Sequence, residues 1–419
     1  MDEELRRRRA MAMLKEGRRV VDVCTALGRS REWIAKWRRR SEAEGPGALR
    51  GRSRAPQHQA RQTSPAIERA VLAARDRLER RIRGREFAGI GADAVAWELE
   101  LAHVAPLPAR RTIERILQRR GRTARTRPPE RTRPPAAYPA VAARAAGDLH
   151  ETDLVGPRHL RTPGRPVRFF SFHTLDVAGG GVATDQFPDK GAESFCGHLA
   201  AAWARLGLPR TWQLDNERTV AGFSPRARPP FTQPLRLALL LGVEVRFIPD
   251  GEPGRNADVE SFNDLWQERV LRRFDCPGLG RLRAVSGRFE RWFMEARPHP
   301  KLRAAEHGTR FPAQLLASLD GALPRLPAGF TLDAYREEGG ELRLPLARGR
   351  ISWVRRVDEH GGVWIAGEHL RIKRAANEYV VGTLSTGRRE VVVRHGERIV
   401  SRFAFRIDER VVRSLRRGG

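Results

Sequence analysis

Apolar positions in the first 45 residues recur at intervals of three and four, broken twice by polar or glycine residues. This spacing predicts three short helices, Glu3–Glu16, Val20–Leu27 and Arg31–Glu42. Gly28 suits the left-handed turn that ends the second helix, and Ser30 is a natural N-cap for the third. Val23, Leu27, Ile34 and Trp37 fall where two helices crossing at a tight turn bury them. A second helical trio comes next. Ser64–Ile82 opens on Ser-Pro, a cap followed by proline at the first helical position; Ala92–Leu101 and Pro108–Arg120 complete it. In the last of these, Ile113, Ile116 and Leu117 form the apolar stripe. A polar Gly/Arg/Pro/Gln stretch, 45–62, links the two trios, and a Pro/Arg/Ala stretch, 122–147, trails the second. Prolines exclude a helix from the latter, and its arginines suit a connecting arm that tracks phosphates.

From Asp148 the period changes to that of strands. Leu149–Val155, Val167–Val177 and Gly181–Phe187 are short apolar or alternating runs between Gly/Pro turns. Helix Ala192–Leu206, strand Thr211–Leu214, helix Pro234–Leu241, strand Val243–Ile248 and a long amphipathic helix Asn256–Arg273 come next. Three strands followed by alternating helices and strands predict a mixed α/β sheet. Beyond about Pro324 the chain is strand-rich with short, regular turns, which predicts a small β-barrel or sandwich. The expected organisation is multidomain, α then α/β then β, with units at 1–50, 63–121, 148–315 and 325–412.

Charge sharpens this outline. Lys and Arg number 79 against 50 Asp and Glu, a net +29. The lysines are Lys15, Lys36, Lys190, Lys301 and Lys373; every other basic residue is arginine. The surplus concentrates before residue 150 and after residue 320, leaving a near-neutral centre. Such a surplus calls for a polyanionic partner, in most proteins nucleic acid. The third helix offers Arg31, Lys36, Arg38, Arg39 and Arg40, and the sixth Arg110, Arg111, Arg115, Arg119 and Arg120. Both trios therefore read as helix-turn-helix units with a basic recognition helix for the major groove of double-stranded DNA. The bland reading of each is a small helical bundle with a solvated basic face.

Other classes recede. No apolar run is long enough for a membrane span, and the opening MDEELRRRRAMAMLKEG has no apolar stretch of a secretion signal. Cys24, Cys196 and Cys276 lie far apart, fitting neither zinc site nor disulfide framework, so a reducing bacterial cytoplasm, on the nucleoid, is expected. No Gly-x-x-x-x-Gly-Lys-Ser/Thr loop is present, so any ATPase helper would be a separate chain.

Three central acids stand out: Asp153 within the first strand, Asp215 ending the fourth, and Glu260 one turn into the long helix. Carboxylates at the ends of adjacent strands and on a facing helix suit hard divalent cations, Mg²⁺ above all. Two such ions about 4 Å apart activate an attacking oxygen and stabilise a leaving one. Asp176 reads as a turn cap, Asp250, Glu252 and Asp258 as solvated loop acids competing for the third place, and Asn256 as the helix N-cap with Asn263 one turn past Glu260. His150 and His173 read as structural strand histidines rather than ligands. Trp203, Trp212, Trp266 and Trp292 read as core or interface residues.

The strings Gly147-x5-Asp153, Leu-Asp-Asn at 214–216 and Pro-Gly-x-Asn-x-x-Val-Glu-x-Phe-Asn at 253–263 occur in that order. Together they resemble the Asp-Asp-Glu core of retroviral-type integrases and insertion-sequence transposases. The resemblance covers roughly 148–315 and implies an RNase H-like fold with Asp153, Asp215 and Glu260 as metal-binding catalytic acids. It further implies two Mg²⁺ ions (replaceable by Mn²⁺), 3′-end cleavage and strand transfer of a mobile element, and a homo-oligomer assembled on terminal repeats and target DNA. Glu217 departs from the pattern where Gly follows Asp-Asn, Ala257 and Asp258 depart before the third acid, and the spacing from Asp215 to Glu260 is longer than the resemblance implies. The stretch 224–234 reads as an inserted loop that takes up the excess. A non-catalytic DNA-binding regulator of transposition is the alternative, and a nuclease without strand transfer is a third reading that the helix-turn-helix pair disfavours.

Overall fold

The computed structural model describes residues 3–50, 63–123, 137–160, 165–221, 231–302 and 304–407. Residues 51–62 of the first linker, 124–136 of the second and 224–230 of the expected inserted loop therefore lie outside the described residues. The chain divides into two compact units, Met1–Ser64 and Pro65–Gly419.

In the first unit, helices α1 (Glu3–Lys15), α2 (Val20–Leu27) and α3 (Arg31–Glu44) precede a 3₁₀ turn, Pro46–Arg50. Ala10, Met13, Val23 and Ile34 form its small core, with Leu14, Leu27 and Trp33 packed around them. The turn between α2 and α3 is built as its residues require. Gly28 takes φ 62°, where an L side chain is strained, and the Ser30 side chain accepts the Trp33 N–H at 3.2 Å. Trp37 is buried under the guanidinium of Arg7, 4.0 Å from its ring centre.

The second unit opens with helices α4 (Pro65–Arg83), α5 (Ala92–Leu101) and α6 (Arg110–Arg119). Val71, Leu78, Val95, Leu99, Ile113 and Ile116 make their common core. Buried Arg75 is held by Glu79 at 2.7 Å and by the carbonyls of Ile90 and Arg122. Aromatic contacts dock this trio on residues 274–311. Phe87 lies 5.4 Å from the Phe274 ring and 5.3 Å from that of Phe289, and Trp97 lies 5.4 Å from Phe311.

Strands β1 (Leu149–Leu160), β2 (Val167–Asp176) and β3 (Val182–Phe187) form an antiparallel meander. β4 (Thr211–Leu214) then pairs with β1 in parallel, and β5 (Glu244–Phe247) with β4. Alternation along β2 serves both faces. Phe170 and Phe172 pack on helix α7 (Ala192–Leu206) through Phe195 and Leu199, while Phe169 and Leu175 pack on the opposite helices. On the first face lie also the short helix α8 (Arg218–Ala221) and α9 (Gln233–Leu240); on the second lie α10 (Ala257–Trp266), prolonged by a π turn, and α11 (Leu279–Arg291). The mixed α/β sheet is thus present, with helices on both faces. Trp203, Trp212 and Trp266 are fully buried in these cores, and Trp292 packs partly buried beside them.

The C-terminal strands differ from the expected barrel. β6 (Arg350–Arg356) pairs in parallel with β5, and the hairpin β7 (Gly362–Ile365)–β8 (Glu368–Arg371) stands as its own two-stranded sheet. β9 (Tyr379–Ser385), β10 (Glu390–His395) and β11 (Arg398–Ala404) continue antiparallel from β6. The result is one nine-stranded sheet, β11-β10-β9-β6-β5-β4-β1-β2-β3. Among the described residues β11 pairs only with β10, so nothing closes the run into a barrel. The physical reason is the open edge of β5, which β6 satisfies by adding to it. Phe247, Ile351, Trp353, Val380 and Val391 then share one hydrophobic core across the junction.

Candidate active site

Asp153 lies in β1 with its side chain on the α10 face, two residues before Val155 of that face's core. The parallel register Thr152↔Leu214 places Asp215 at the next step of the adjacent strand. Glu260 stands in the first turn of α10, which crosses β1 and β2 on this side. All three are half-buried. The structure therefore brings together the three acids singled out in the sequence, one from each of three elements.

Their electrostatics reflect that proximity. Burial first, and then the negative charges of Asp215 and Glu260, push Asp153 up to about 6, against the Leu154 N–H and the Asn263 amide, which favour the charged form. Asp215 is raised by burial and by Glu217, with the Glu217 N–H and Lys190 opposing. Glu260 is raised by burial, then by Asp264 and Asp215. Asp153, Glu260, Asp264, Asn263, Arg158 and Gln267 line an open cleft of about 500 Å³. A β-bulge between Val155 and Arg158, opened by Gly156 at φ 155°, turns β1 away and forms the lip of the cleft. A Cβ on Gly156 would stand 2.7 Å from the Phe170 ring, so glycine is required there.

The donor set is one of hard oxygens with uncompensated negative charge, which fits a divalent cation such as Mg²⁺. As the side chains stand, no three His, Cys, Asp or Glu of the described residues are drawn tightly enough to ligate one ion.

The competing acids have other work. Asp176 caps the turn after β2, accepting the N–H groups of Ala178, Gly179 and Gly147. Asp258 pairs with Lys301 at 2.8 Å, Glu252 with Arg255 at 2.9 Å and with Tyr379, and Asp250 faces Arg355 at 3.8 Å. Glu217, the departure beside Asp215, is neutralised by Lys190 at 2.9 Å. His150 is buried 3.9 Å from Asp176, and burial pushes its pKa down. His173 is buried under α10 and pushed down to about 3 by that burial, which keeps the ring neutral.

One residue differs from its expected role, and another was not singled out at all. Asn256 occupies the N-cap position of α10, yet its side chain makes no capping bond; Oδ1 instead accepts the Gln213 amide at 3.1 Å. The capping role falls to Glu151, whose carboxylate accepts the Val259 N–H at 3.1 Å from β1. Burial drives Glu151 up to about 7. Its signal in the sequence was its phase, two residues before Asp153 on the same strand face.

On the helical units, Arg31, Lys36, Arg38 and Arg39 are exposed along α3, and Arg38 is paired with Glu42 at 2.9 Å. Arg40 turns inward onto Trp37 instead of joining that face. Arg110, Arg111 and Arg115 are exposed on α6; Arg110 and Arg111 both reach Glu114, while Arg119 and Arg120 bind Glu68.

Residues 7–69 match the winged helix-turn helix family. No curated protein sequence matches the chain. Among solved structures, it is similar to a chain in the simian T-cell lymphotropic virus intasome bound to PP2A regulatory subunit B56 gamma, at 17% identity over 55% of this chain and 76% of that one, with a TM-score of 0.34. It is also similar to the catalytic core domain of BIV integrase (13% identity, 42% of this chain and 97% of that one, TM-score 0.31). The HTLV-2 integrase catalytic core domain in complex with magnesium is a further likeness (13%, 41% and 97%, TM-score 0.30).

Proposed function

We propose that this protein is a DNA transposase of the Asp-Asp-Glu class, binding the ends of a mobile element and carrying out 3′-end cleavage and strand transfer. The observation that carries the reading is that Asp153, Asp215 and Glu260, from two adjacent parallel strands and the helix across them, lie close enough to raise one another's pKa, with Asp153 and Glu260 lining one open cleft. The match to the winged helix-turn helix family and the net charge of +29 support a double-stranded DNA partner.

Asp153, Asp215 and Glu260 are the residues that would hold Mg²⁺ or Mn²⁺, which when bound would supply Lewis-acid activation of a phosphodiester. The chain's own contribution is placement. Glu151 fixes the start of α10 and with it the height of Glu260 above β1. Lys190 cancels the charge of Glu217, so that this extra acid does not compete with Asp215. Arg158, anchored on Gln267 at 2.9 Å, sets a positive charge at the lip where a phosphate backbone enters. Both steps are in-line displacements, so no covalent enzyme nucleophile is required. The exposed arginines Arg31, Arg38, Arg39 and Arg115, with Lys36, supply contacts to the element's ends, and the polar face of the extended sheet, with Arg350, Arg394 and Arg402, lies open for further DNA or a second protomer.

The experiment is metal-dependent cleavage and joining of a labelled duplex carrying the element's own end, with wild type beside Glu260→Gln. Loss of cleavage and joining in the variant, with end binding retained, supports the proposal. Tight end binding without cleavage by either protein, with both ends and Mn²⁺ supplied, favours the regulator.

A further inference from the structure

The α10 face of the meander is apolar at Phe169, Leu175, Val155 and Val182, yet four polar side chains are buried among them. Ser171 and His173 are fully buried on β2; Gln186 of β3 and Asn263 of α10 are 2% and 6% exposed. Their positions follow from register: Ser171 pairs with Gln186 across β2–β3, and His173 with Asp153 across β1–β2. Glu151 and Thr184 on the same face are buried too, held by the Val259 N–H and by Glu290, and burying polar groups costs free energy unless each finds its partner. Here each does. The Asn263 Nδ2 amide donates to Asp153 Oδ2 at 2.7 Å, His173 Nδ1 meets Asn263 Oδ1, His173 Nε2 meets Ser171 Oγ at 2.7 Å, and Gln186 Nε2 donates to Ser171 Oγ at 3.0 Å.

We infer that Gln186, Ser171 and His173 are positioning residues: a one-way hydrogen-bond relay that locks the Asn263 amide with its N–H toward Asp153. The inference rests on the reading of Asp153 as a catalytic acid. The direction is forced by donor and acceptor chemistry. An Asn263 that gives its N–H₂ to Asp153 has its carbonyl oxygen left facing His173, so Nδ1 must carry the ring proton. A neutral ring then has a bare Nε2, which the Ser171 hydroxyl must fill as donor, and the Gln186 amide occupies a remaining lone pair of that hydroxyl. Every donor points toward the Asp153 carboxylate. Were the ring proton on Nε2, the Asn263 amide would turn over and set its oxygen against the carboxylate, two acceptors facing each other. The Phe262 and Trp266 rings, 5.3 and 4.8 Å from His173, hold the imidazole plane edge-on and oppose ring reversal. Partners that orient a metal ligand are commonly worth about 10–100-fold in affinity.

The test titrates the full-length protein with Mn²⁺ by calorimetry, without DNA, and locates the His173 proton by long-range ¹H–¹⁵N correlation. His173→Phe and Ser171→Ala are expected to bind Mn²⁺ on the order of 10–100-fold more weakly, and Ser171→Thr, which keeps the hydroxyl, to bind as wild type does. The wild-type ring is expected to carry its proton on Nδ1. A proton on Nε2, or His173→Phe binding as tightly as wild type while Asp153→Asn does not bind, overturns the relay and leaves the catalytic reading standing. Asp153→Asn binding as wild type does removes the catalytic reading and the inference with it. Where His173→Phe fails to fold, the wild-type tautomer decides.

Discussion

A carboxylate that is half-buried beside two others has little reason to ionise, and Asp153 is in that position. Burial and the neighbouring acids raise it to about 6, and only an amide and a backbone N–H favour its charge. Such an arrangement is costly without a cation, and it is the residue-scale reason for reading a metal centre here. Another titratable group, the half-buried His299, makes a separate, testable contribution to stability. Burial, and then the charges of Arg297 and Lys301, push His299 down to about 4. Its folded value lies below the unfolded one of 6.5, so the unfolded chain takes up the proton first. Stability contributed by the neutral ring is whole above pH 6.5, declines as the pH falls, and is lost below about pH 4. Denaturant unfolding at stepped pH is expected to show wild type losing on the order of 1–3 kcal/mol relative to His299→Asn across that window. Parallel pH curves for the two proteins would show that the fold does not hold His299 neutral. Residue positions were unevenly legible in the sequence. Local strings singled out Asp153, Asp215 and Glu260, which the fold places near one another, and turn chemistry singled out Gly28 and Ser30. The places of Glu151 and Arg40 were not legible, because capping a helix from a strand and folding back on Trp37 depend on neighbours distant along the chain or on side-chain direction.

Among the elements, the helices and the first five strands were readable because each carries its own period and its own terminators. α2 and α3 match the expected helices with the left-handed Gly28 between them, and the Asp148–Phe187 alternation became the meander β1–β3. The two arginine-bearing helices, α3 and α6, show where patterning stops short. Both present arginines, but on α6 Arg110 and Arg111 share Glu114, whereas Arg31 and Arg39 of α3 stand exposed and form no ion pair with a carboxylate among the described residues. Alanine at Arg39 is therefore expected to weaken binding to end DNA more than alanine at Arg110. Each lost phosphate contact should lower the slope of log affinity against log salt by roughly 0.9. Binding titrations at several salt concentrations check this; equal losses and unchanged slopes at both positions would show that neither helix tracks the backbone.

For the whole molecule, the strand-rich C-terminal part was legible as strands, but its attachment was not. Which edge a strand joins is set by the partner's exposed hydrogen-bonding groups, and these are separated here by roughly a hundred residues of chain. β6 adds to β5 through Val245↔Ile351 and Phe247↔Trp353, and one core runs beneath both. The chain after Ser64 is accordingly one compact unit. Truncation after residue 324 is expected to expose the β5 edge and the apolar face around Phe247, giving a fragment that aggregates or unfolds at lower denaturant than the full chain. Size-exclusion and urea unfolding read the outcome, and a monomeric fragment of unchanged stability would show that the sheet is not continuous in energy.

If Asp153, Asp215 and Glu260 form a metal centre, anomalous scattering from crystals soaked in Mn²⁺ will locate the ion. The expected result is Mn²⁺ density bounded by these three carboxylates, with Asp153 drawn in while still held by Asn263, and loss of that density in Asp153→Asn. Density confined to other carboxylates, or none at saturating Mn²⁺, would contradict the metal centre and the transposase reading built on it.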